Sequence, residues 1–176
     1  GIVRRIDDLG RIVIPKEIRR TLRIREGDPL EIFTDREGKV ILKKYSPIGE
    51  LGTLAGIYAD SLSKTLDCTV CITDTDQVIA AAGNGKKELQ EMLLSAELAE
   101  VFQQRKTVLT KSSDAEFVAI TKDRSEYSEE IISVILSEGD IAGGVIFLQK
   151  NEKKHFGEME KKFAAGAADL LGRQLS

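Results

Sequence analysis

The stretch DLGRIVIPKEIRRTL, residues 8–22, runs an apolar, β-branched segment directly into a proline. Pro15 suits the first position of a helix, where its missing N–H has no intrahelical partner to lose. Ile18 and Leu22 then lie one turn apart on the face expected to be buried. The basic side chains that follow lie off that face: Arg19, Arg20 and Arg23. The stretch therefore predicts a short strand over 12–14, followed by a helix of two turns with a cationic surface.

Positive charge is concentrated around this stretch. Residues 1–45 carry twelve Lys and Arg against eight Asp and Glu, whereas the rest of the chain carries fourteen against twenty-one. The net charge of −3 therefore combines an N-terminal region of +4 with a remainder of −7. This asymmetry favours a head that binds a polyanion, joined to a different kind of body. Two ordinary solvated surfaces are the alternative.

Residues 1–45 are expected to form a small β-rich head. An extended segment over 2–6 precedes the quoted stretch, and a hairpin over 30–34 and 39–45 follows it, around the turn Asp35-Arg36-Glu37-Gly38. Seventeen of these 45 residues are hydrophobic, but so short a chain rarely buries enough surface to be stable alone. We therefore expect two copies to share one core. Such a dimer would present its arginines with the two-fold symmetry of a duplex.

The whole head, GIVRRIDDLGRIVIPKEIRRTLRIREGDPLEIFTDREGKVILKKY, strongly resembles the AbrB-type DNA-binding domain of bacterial transition-state regulators. The resemblance implies an intertwined, swapped-hairpin dimer that binds double-stranded DNA with arginines of the first strand, the loop and the helix start. The matching positions, together with a neighbour that is commonly basic in the family, are the candidate DNA-binding residues: Arg4, Arg5, Arg11, Arg19 and Arg20. A guanidinium stays charged, and its planar donors fit phosphate oxygens and guanine edges.

Not every arginine of the head is assigned to DNA. Arg23 and Arg25 are expected to pair with nearby carboxylates such as Glu26 and Asp28, and thereby to solvate the surface. The same role is the alternative for Arg19. A helix-turn-helix is not expected, because one short helix has no second helix to support it.

Ser46-Pro47-Ile48-Gly49 is the best candidate for a boundary between domains. We expect a DNA-binding domain over 1–46, a linker and connecting helix over 47–66, and a regulatory and oligomerisation domain over 67–176. The second domain is predicted to be α+β, with helices at both ends of an antiparallel sheet that is covered on one face. Helices are predicted over 51–66, 86–105 and 155–175, and strands over 70–73, 78–82, 108–110, 117–121, 131–136 and 143–148.

The hairpin SVILSEGDIAGGVIFLQK, residues 133–150, is typical of the last two central strands of a GAF domain, which the second domain resembles in element order. An AbrB-type head followed by a GAF-like domain resembles a family of sporulation regulators of endospore-forming bacteria. The resemblance implies a transcription factor for late genes in the forespore, associated with the nucleoid. It also implies a homo-tetramer in which the GAF-like domains join head dimers.

Two questions about the second domain stay open in the sequence. The apolar stripes of helices 51–66 and 155–175 either pair between subunits or cover their own sheet. A small-molecule ligand is compatible with a GAF-like fold, but the fold alone names none.

Cys68 and Cys71 have the spacing of a redox or metal motif. In a strand, however, side chains three residues apart point to opposite faces, and no second cysteine pair or histidine cluster completes a zinc site. We therefore expect two buried thiols, and we expect no catalytic residue, no metal and no cofactor. Gly83-Asn84-Gly85-Lys86-Lys87 is interpreted as a basic turn rather than a phosphate loop, and His155, the only histidine, is expected to be exposed.

Alternatives from other functional classes are a GAF-fold thiol-dependent reductase, which only Cys68 and Cys71 would support, and an antitoxin of the AbrB family. The antitoxins share the head but usually carry a short disordered tail. Two cysteines do not form a disulfide framework, and the chain contains neither an apolar run long enough for a membrane span nor an apolar signal region. We therefore expect a soluble cytoplasmic protein with no membrane partner.

Overall fold

The computed structural model describes residues 1–122 and 126–175, and it divides into two compact units, residues 1–45 and a second unit that begins at Ser46. Unit 1 contains one helix and one hairpin. Its elements are α1 (Lys16–Leu22), β1 (Leu30–Thr34) and β2 (Val40–Lys44). Unit 2 begins with a 3₁₀ turn over Ile48–Leu51. Its further elements are α2 (Gly52–Leu66), β3 (Thr69–Thr73), β4 (Val78–Ala82), α3 (Lys86–Leu89), α4 (Ala96–Gln103), β5 (Thr107–Lys111), β6 (Glu129–Ser137), β7 (Asp140–Gln149) and α5 (Glu158–Gln174).

The helix of unit 1 follows the quoted stretch closely. Pro15 is the N-cap rather than the first helical residue, because its ψ of 146° is extended while its carbonyl already accepts the N–H of Arg19 at 3.0 Å. The helix ends at Arg23, whose φ of 56° is left-handed. β1 and β2 pair antiparallel as predicted, and Asp35 Oδ1 holds their turn by accepting the N–H groups of Glu37 and Lys39 at 2.9 and 2.8 Å.

The extended segments predicted over 2–6 and 12–14 form no β-ladder in the single chain. The prediction that they are strands is therefore wrong for one chain. A strand is defined by hydrogen bonds to a neighbour, and within unit 1 only β1 and β2 supply each other with one. The unit also lacks a core of its own. Pro15 is its only buried residue, and 14 of the 20 large hydrophobic side chains exposed in the described chain belong to it.

Unit 2 is built on one five-stranded sheet. The strand order is β4-β3-β7-β6-β5, and every neighbouring pair is antiparallel. The helices α2 and α5 flank this sheet in the chain, which agrees with the predicted α+β architecture. None of the helices in the described part of the chain combines the length and apolar character that a membrane span needs.

Both faces of the sheet are covered, whereas the sequence predicted one. Val70 and Ile72 belong to a cluster with residues of α2 and α5, such as Ala59 and Leu171. Cys71, which points to the opposite face, belongs to a second cluster, together with residues of α3 and α4: Leu89, Leu98, Val101 and Phe102. The alternation of side chains along a buried strand therefore fills two separate cores.

The single helix predicted over 86–105 is wrong. α3 and α4 are separated by an extended segment, in which Glu91 has a left-handed φ of 63°. Ser95 Oγ accepts the N–H of Leu98 at 3.1 Å and so begins α4 as an N-cap. Leu93, in the extended segment, is 44% exposed. The strand predicted over 117–121 is reduced to an isolated bridge between Thr121 and Leu94.

Candidate nucleic-acid interface

The loop from Asp7 to Arg11 presents the first predicted DNA-binding arginine that lies outside the extended N-terminal segment. Asp7 Oδ1 accepts the N–H groups of Leu9 and Arg11 at 2.9 and 2.8 Å, and its Oδ2 accepts Arg11 Nε at 2.8 Å. The hydrogen bonds from Arg11 hold the pKa of Asp7 below its usual value. The Arg11 side chain nevertheless remains 71% exposed. The loop therefore holds a guanidinium in a defined place and leaves its outer edge open to solvent.

Arg19 and Arg20 lie side by side on α1, and both are exposed. Arg19 Nε donates to the Ile14 carbonyl at 3.1 Å, which fixes its side chain at the start of the helix. Within residues 1–122 and 126–175, no hydrogen bond or ion pair holds the Arg20 side chain. The apolar face beneath them, predicted to be buried, is open in the single chain, because Ile18 and Leu22 are 37% and 52% exposed.

Arg4 and Arg5 lie in the extended N-terminal segment, and both are exposed. No residue that the structure describes hydrogen-bonds to either side chain. The local backbone alone therefore does not position these two arginines, in contrast to Arg11 and Arg19. The sequence placed all five arginines in one candidate set, and the structure divides that set into two anchored members and three without an anchor.

Two residues that support this surface were missed in the sequence. Asp7 organises the Arg11 loop, and the turn sequence Asp-Asp-Leu-Gly-Arg over residues 7–11 is a local signal for that role. Lys44 Nζ donates to the Arg23 carbonyl at 2.9 Å, so β2 satisfies the C-terminal end of α1, where a cation is favoured. That contact spans 21 residues and leaves no local signal.

The two thiols of unit 2 are buried and free. Cys68 and Cys71 belong to the clusters on opposite faces of the sheet, as the strand alternation predicts. Burial raises the pKa of each thiol to about 12, with smaller contributions from Asp67 and Glu160 at Cys68 and from Glu130 at Cys71. The pair can neither form a disulfide with each other across the sheet nor act as a ready nucleophile.

Unit 2 also contains a small cavity and a buried carboxyl group. The cavity has a volume of about 20 Å³ and is lined by Leu89, residues 117–121, Tyr127 and Glu130, which is enough for a water molecule. Glu130 is 1% exposed, and burial raises its pKa to about 7. The sequence did not single out Glu130, because it lies beside Glu129 in a segment that looked like the polar start of a strand.

His155 is 62% exposed, as predicted, but it is not isolated. Its Nδ1 lies 2.5 Å from Oε2 of the buried Glu129, whose Oε1 accepts the N–H of Phe156 at 3.2 Å. The carboxylate thereby ties β6 to the segment that precedes α5. That helix begins at Glu158, three residues after the predicted start.

Two protein-family models match the chain. The model described as "Stage V sporulation protein T C-terminal, transcription factor" matches residues 50–176. The model described as "Antidote-toxin recognition MazE, bacterial antitoxin" matches residues 3–50. The division between the two matches falls close to the boundary between units 1 and 2.

Similar proteins match either the whole chain or its N-terminal part alone. Stage V sporulation protein T of Bacillus subtilis (strain 168) is 50% identical over 179 residues, which cover 99% of this chain and 97% of that protein. The transition state regulatory protein AbrB of the same organism is 66% identical over 47 residues, or 27% of this chain and 48% of that protein. The resemblance of unit 1 to AbrB-type domains, inferred above from residues 1–45, is thereby confirmed.

A solved structure identifies the fold of unit 2. The GAF domain of an Acinetobacter phosphoenolpyruvate-protein phosphotransferase aligns with a TM-score of 0.60 and 14% identity, over 73% of this chain and 87% of that one. This likeness confirms the GAF-like fold. A family model that matches residues 50–176, together with a relative half identical over almost the whole chain, shows that the chain belongs to the stage V sporulation protein T family.

Proposed function

We propose that this protein is a transcription regulator of sporulation genes that binds double-stranded DNA through Arg4, Arg5, Arg11, Arg19 and Arg20 of an intertwined head dimer. In this proposal the head spans 1–46, a linker and connecting helix span 47–66, and residues 67–176 regulate and oligomerise. It acts on late genes in the cytoplasm of the forespore. The relative named stage V sporulation protein T and the family description as a transcription factor support this role.

The observation that carries the proposal is the state of unit 1 in the single chain. Its apolar side chains are uncovered, and the five arginines are exposed beside them. Burying one aliphatic side chain contributes about 1.5–3 kcal/mol, so a surface with this many uncovered hydrophobic groups needs a partner. A second copy satisfies the need, because the unpaired segments over 2–6 and 12–14 of two chains can complete one another's ladders.

A dimer carries enough arginines to contact the number of phosphates that a DNA-binding protein usually contacts. Five arginines in each chain become ten around a two-fold axis. Contacts to about 6–10 phosphates give an affinity that falls by roughly 10³–10⁵ between 50 and 200 mM salt. Phosphate contacts position a protein on DNA, whereas base contacts specify sequence. We therefore propose limited base reading and a strong dependence on DNA shape.

Unit 2 joins two head dimers into a tetramer. α5 buries Ala164, Ala167, Ala168 and Leu171 against its own sheet. Met159, Phe163 and Leu170 of the same helix remain 59%, 42% and 51% exposed. This second apolar stripe supports pairing between subunits, while the first covers the sheet. A small-molecule ligand of unit 2 would then change the spacing of the heads through the connecting helix.

The test is a DNA titration of the full chain at several salt concentrations, with Arg11→Ala and Arg20→Ala. Both variants should bind more weakly while keeping the wild-type melting temperature. The slope of log affinity against log salt should fall by about 0.9 for each lost phosphate contact, hence by about two for each dimer. Arg173→Ala, an exposed arginine of α5 paired with Asp169, is the matched control. Unchanged binding in both head variants would contradict the assignment.

An antitoxin is the second candidate function, because the antitoxin model matches residues 3–50. In that case the uncovered apolar surface of unit 1 would receive a toxin as well as a second copy. Purification of the tagged protein from its native host distinguishes the two. An antitoxin would carry a stoichiometric partner protein that it neutralises, whereas a regulator would carry only further copies of itself.

A thiol-dependent reductase has no such support. Such an enzyme needs an exposed thiolate with a lowered pKa, whereas both thiols here are buried and the pKa of each is raised to about 12. We therefore propose that unit 2 regulates and assembles the protein without catalysing a reaction.

A further inference from the structure

The loop over residues 7–11 is closed by hydrogen bonds between its ends. The Asp7 N–H donates to the Arg11 carbonyl at 3.0 Å, and the Gly10 N–H donates to the Asp7 carbonyl at 3.1 Å. Gly10 has a left-handed φ of 77°, which glycine adopts without steric cost. Asp7 Oδ1 adds its bonds to the N–H groups of Leu9 and Arg11. The backbone that carries the Arg11 side chain is therefore held on both sides of the turn.

The same carboxylate determines which edge of the Arg11 guanidinium is available to a partner. A guanidinium offers two parallel donors either from Nε and one Nη or from its two Nη atoms. Asp7 Oδ2 occupies Nε at 2.8 Å. Within residues 1–122 and 126–175, neither Nη of Arg11 hydrogen-bonds to the protein, and the side chain is exposed. Arg11 therefore presents its terminal pair of donors in a fixed direction.

A fixed terminal pair of donors matches the major-groove edge of guanine. The O6 and N7 atoms of guanine are adjacent acceptors, and a bidentate arginine is the commonest specific contact to them. Asp7 also offsets part of the guanidinium charge, on which attraction to phosphate depends, but it occupies neither Nη. Arg20 is the contrast, because no group that the structure describes anchors its side chain. An unanchored cation is sufficient for a phosphate contact, which carries no sequence information.

We propose that Arg11 reads a guanine in the major groove through its two Nη atoms, and that Asp7 is the positioning residue that directs them. Arg20 then contributes phosphate contacts that are independent of sequence. The inference rests on the proposed function and names the part of the DNA that one arginine of the head recognises. It assigns a carboxylate a favourable role in binding DNA, although its charge alone repels the phosphates.

Two duplexes test the contact to guanine. The first is a duplex that the full-length wild-type protein enriches from a random pool at low ionic strength. The second has the same sequence with 7-deazaguanine in place of guanine, which keeps the base pairing and the phosphates but replaces N7 by a C–H group. We expect the wild-type protein to bind the second duplex about tenfold or more weakly, because each Arg11 of a head dimer loses an acceptor. This ratio of the two affinities is the N7 penalty.

Asp7→Asn separates the positioning of Arg11 from the folding of the loop. Its amide oxygen still accepts the N–H groups of Leu9 and Arg11, but its NH₂ group offers Arg11 Nε a donor instead of an acceptor. We expect the N7 penalty to fall to about threefold or less. Arg19, whose Nε donates to the Ile14 carbonyl at 3.1 Å, keeps its own terminal donors and supplies the remainder. Affinity for the 7-deazaguanine duplex should not fall, because the variant removes a negative charge.

Asp8→Asn is the matched control, since it makes the same change of charge at the next residue. Asp8 is exposed, and its side chain forms no hydrogen bond or ion pair with the residues that the structure describes. We expect this variant to keep the wild-type N7 penalty. A merely structural effect on the head would weaken binding to both duplexes alike and would leave the penalty unchanged.

Two arginine variants complete the comparison. Arg20→Ala should weaken binding to both duplexes by the same factor and so keep the N7 penalty. Arg11→Ala should lower the penalty as much as Asp7→Asn does. Adding Asp7→Asn to Arg11→Ala should lower it no further, because Asp7 acts through Arg11.

The proposal is overturned if the wild-type protein binds both duplexes equally, because no guanine N7 is then read. It is also overturned if Asp7→Asn keeps the wild-type melting temperature and the full N7 penalty. An Arg11→Ala variant with the full penalty overturns it whatever the stability of Asp7→Asn. Failure of the proposed function gives a different result, in which the wild-type protein enriches no duplex from the pool.

Discussion

Glu130 is the residue whose ionisation should control how the stability of unit 2 varies with pH. Burial raises its pKa from 4.5 to about 7, against the opposing effect of hydrogen bonds that its Oε1 accepts from the Val118 N–H at 2.9 Å and the Thr110 hydroxyl at 3.3 Å. The unfolded chain releases this proton near pH 4.5, before the folded chain does. The contribution of Glu130 to stability is therefore fully present below the unfolded pKa and is lost as the pH rises through the folded one.

We therefore predict that the free energy of unfolding falls by about 3 kcal/mol between pH 4.5 and 7 on account of Glu130. Glu130→Gln keeps an acceptor oxygen for Val118 and carries no charge at any pH, so it should abolish this slope and be more stable than wild type at pH 7. Denaturant titrations at a series of pH values measure the effect. Glu138→Gln, at an exposed position in the turn between β6 and β7, should keep the wild-type slope.

The two buried cysteines should be unreactive in the folded protein. With the pKa of each thiol near 12, the thiolate fraction at pH 8 is about 10⁻⁴. The native protein should take up no alkylating reagent during a period in which the denatured protein takes up two equivalents, as mass spectrometry would show. Rapid labelling of either thiol in the native protein would contradict the burial. Sequence reasoning predicted this burial correctly, because strand alternation is a local property of Cys68 to Cys71.

The helix α5 contains two glycines whose surroundings differ sharply. A Cβ at Gly172 would lie 2.1 Å from the Leu136 carbonyl oxygen, where the helix crosses β6, whereas a Cβ at Gly166 would meet nothing within 4 Å. We predict that Gly172→Ala destabilises the protein by about 1–3 kcal/mol or more through overpacking. Gly166→Ala should stabilise it by about 0.5–1 kcal/mol, because alanine is the better helix former. Thermal unfolding of both variants measures the difference, and equal shifts would contradict the close approach.

Elements were predictable where their signals are local. The hairpin of β1 and β2 follows from the turn residues 35–38, and the hairpin of β6 and β7 from Glu138 and Gly139, both of which adopt positive φ. The helix predicted over 86–105 failed because the segment around Leu94 pairs with the Asp76 turn on one side and with Thr121 on the other. Those partners are distant in sequence, and their hydrogen bonds override the helical spacing of the apolar residues.

The apolar segments of unit 1 are exposed and lack a ladder partner within residues 1–45. The sequence indicates β-structure over 2–6 and 12–14, and the single chain leaves the same residues without a ladder. Both observations are consistent if the hydrogen-bonding partner is another copy. The motif around Arg11 and Arg19 indicates which arginines are candidates for DNA binding. Their arrangement in the proposed dimer depends on how two chains combine, which no local sequence signal encodes.

The exposed apolar stripe of α5 is the surface through which we propose that copies of unit 2 pair. Met159, Phe163 and Leu170 are spaced at helical intervals, and together they form an apolar stripe on α5 away from its own sheet. Phe163→Glu combined with Leu170→Glu should place charges on this stripe without touching the core residues of the helix. We expect analytical ultracentrifugation to show a tetramer for the wild-type protein and a head-joined dimer for this variant.

The matched control is Lys162→Glu, an exposed position one residue before Phe163, which should leave the tetramer intact. A variant that remained tetrameric would place the pairing elsewhere, and a variant that became monomeric would mean that the heads do not hold two chains together on their own. The dimeric variant should also bind a duplex of about six helical turns more weakly than the wild-type protein does, since joint engagement of a long duplex needs two head dimers in one particle. Salt dependence on a short duplex should stay unchanged, because the arginines of each head dimer are untouched.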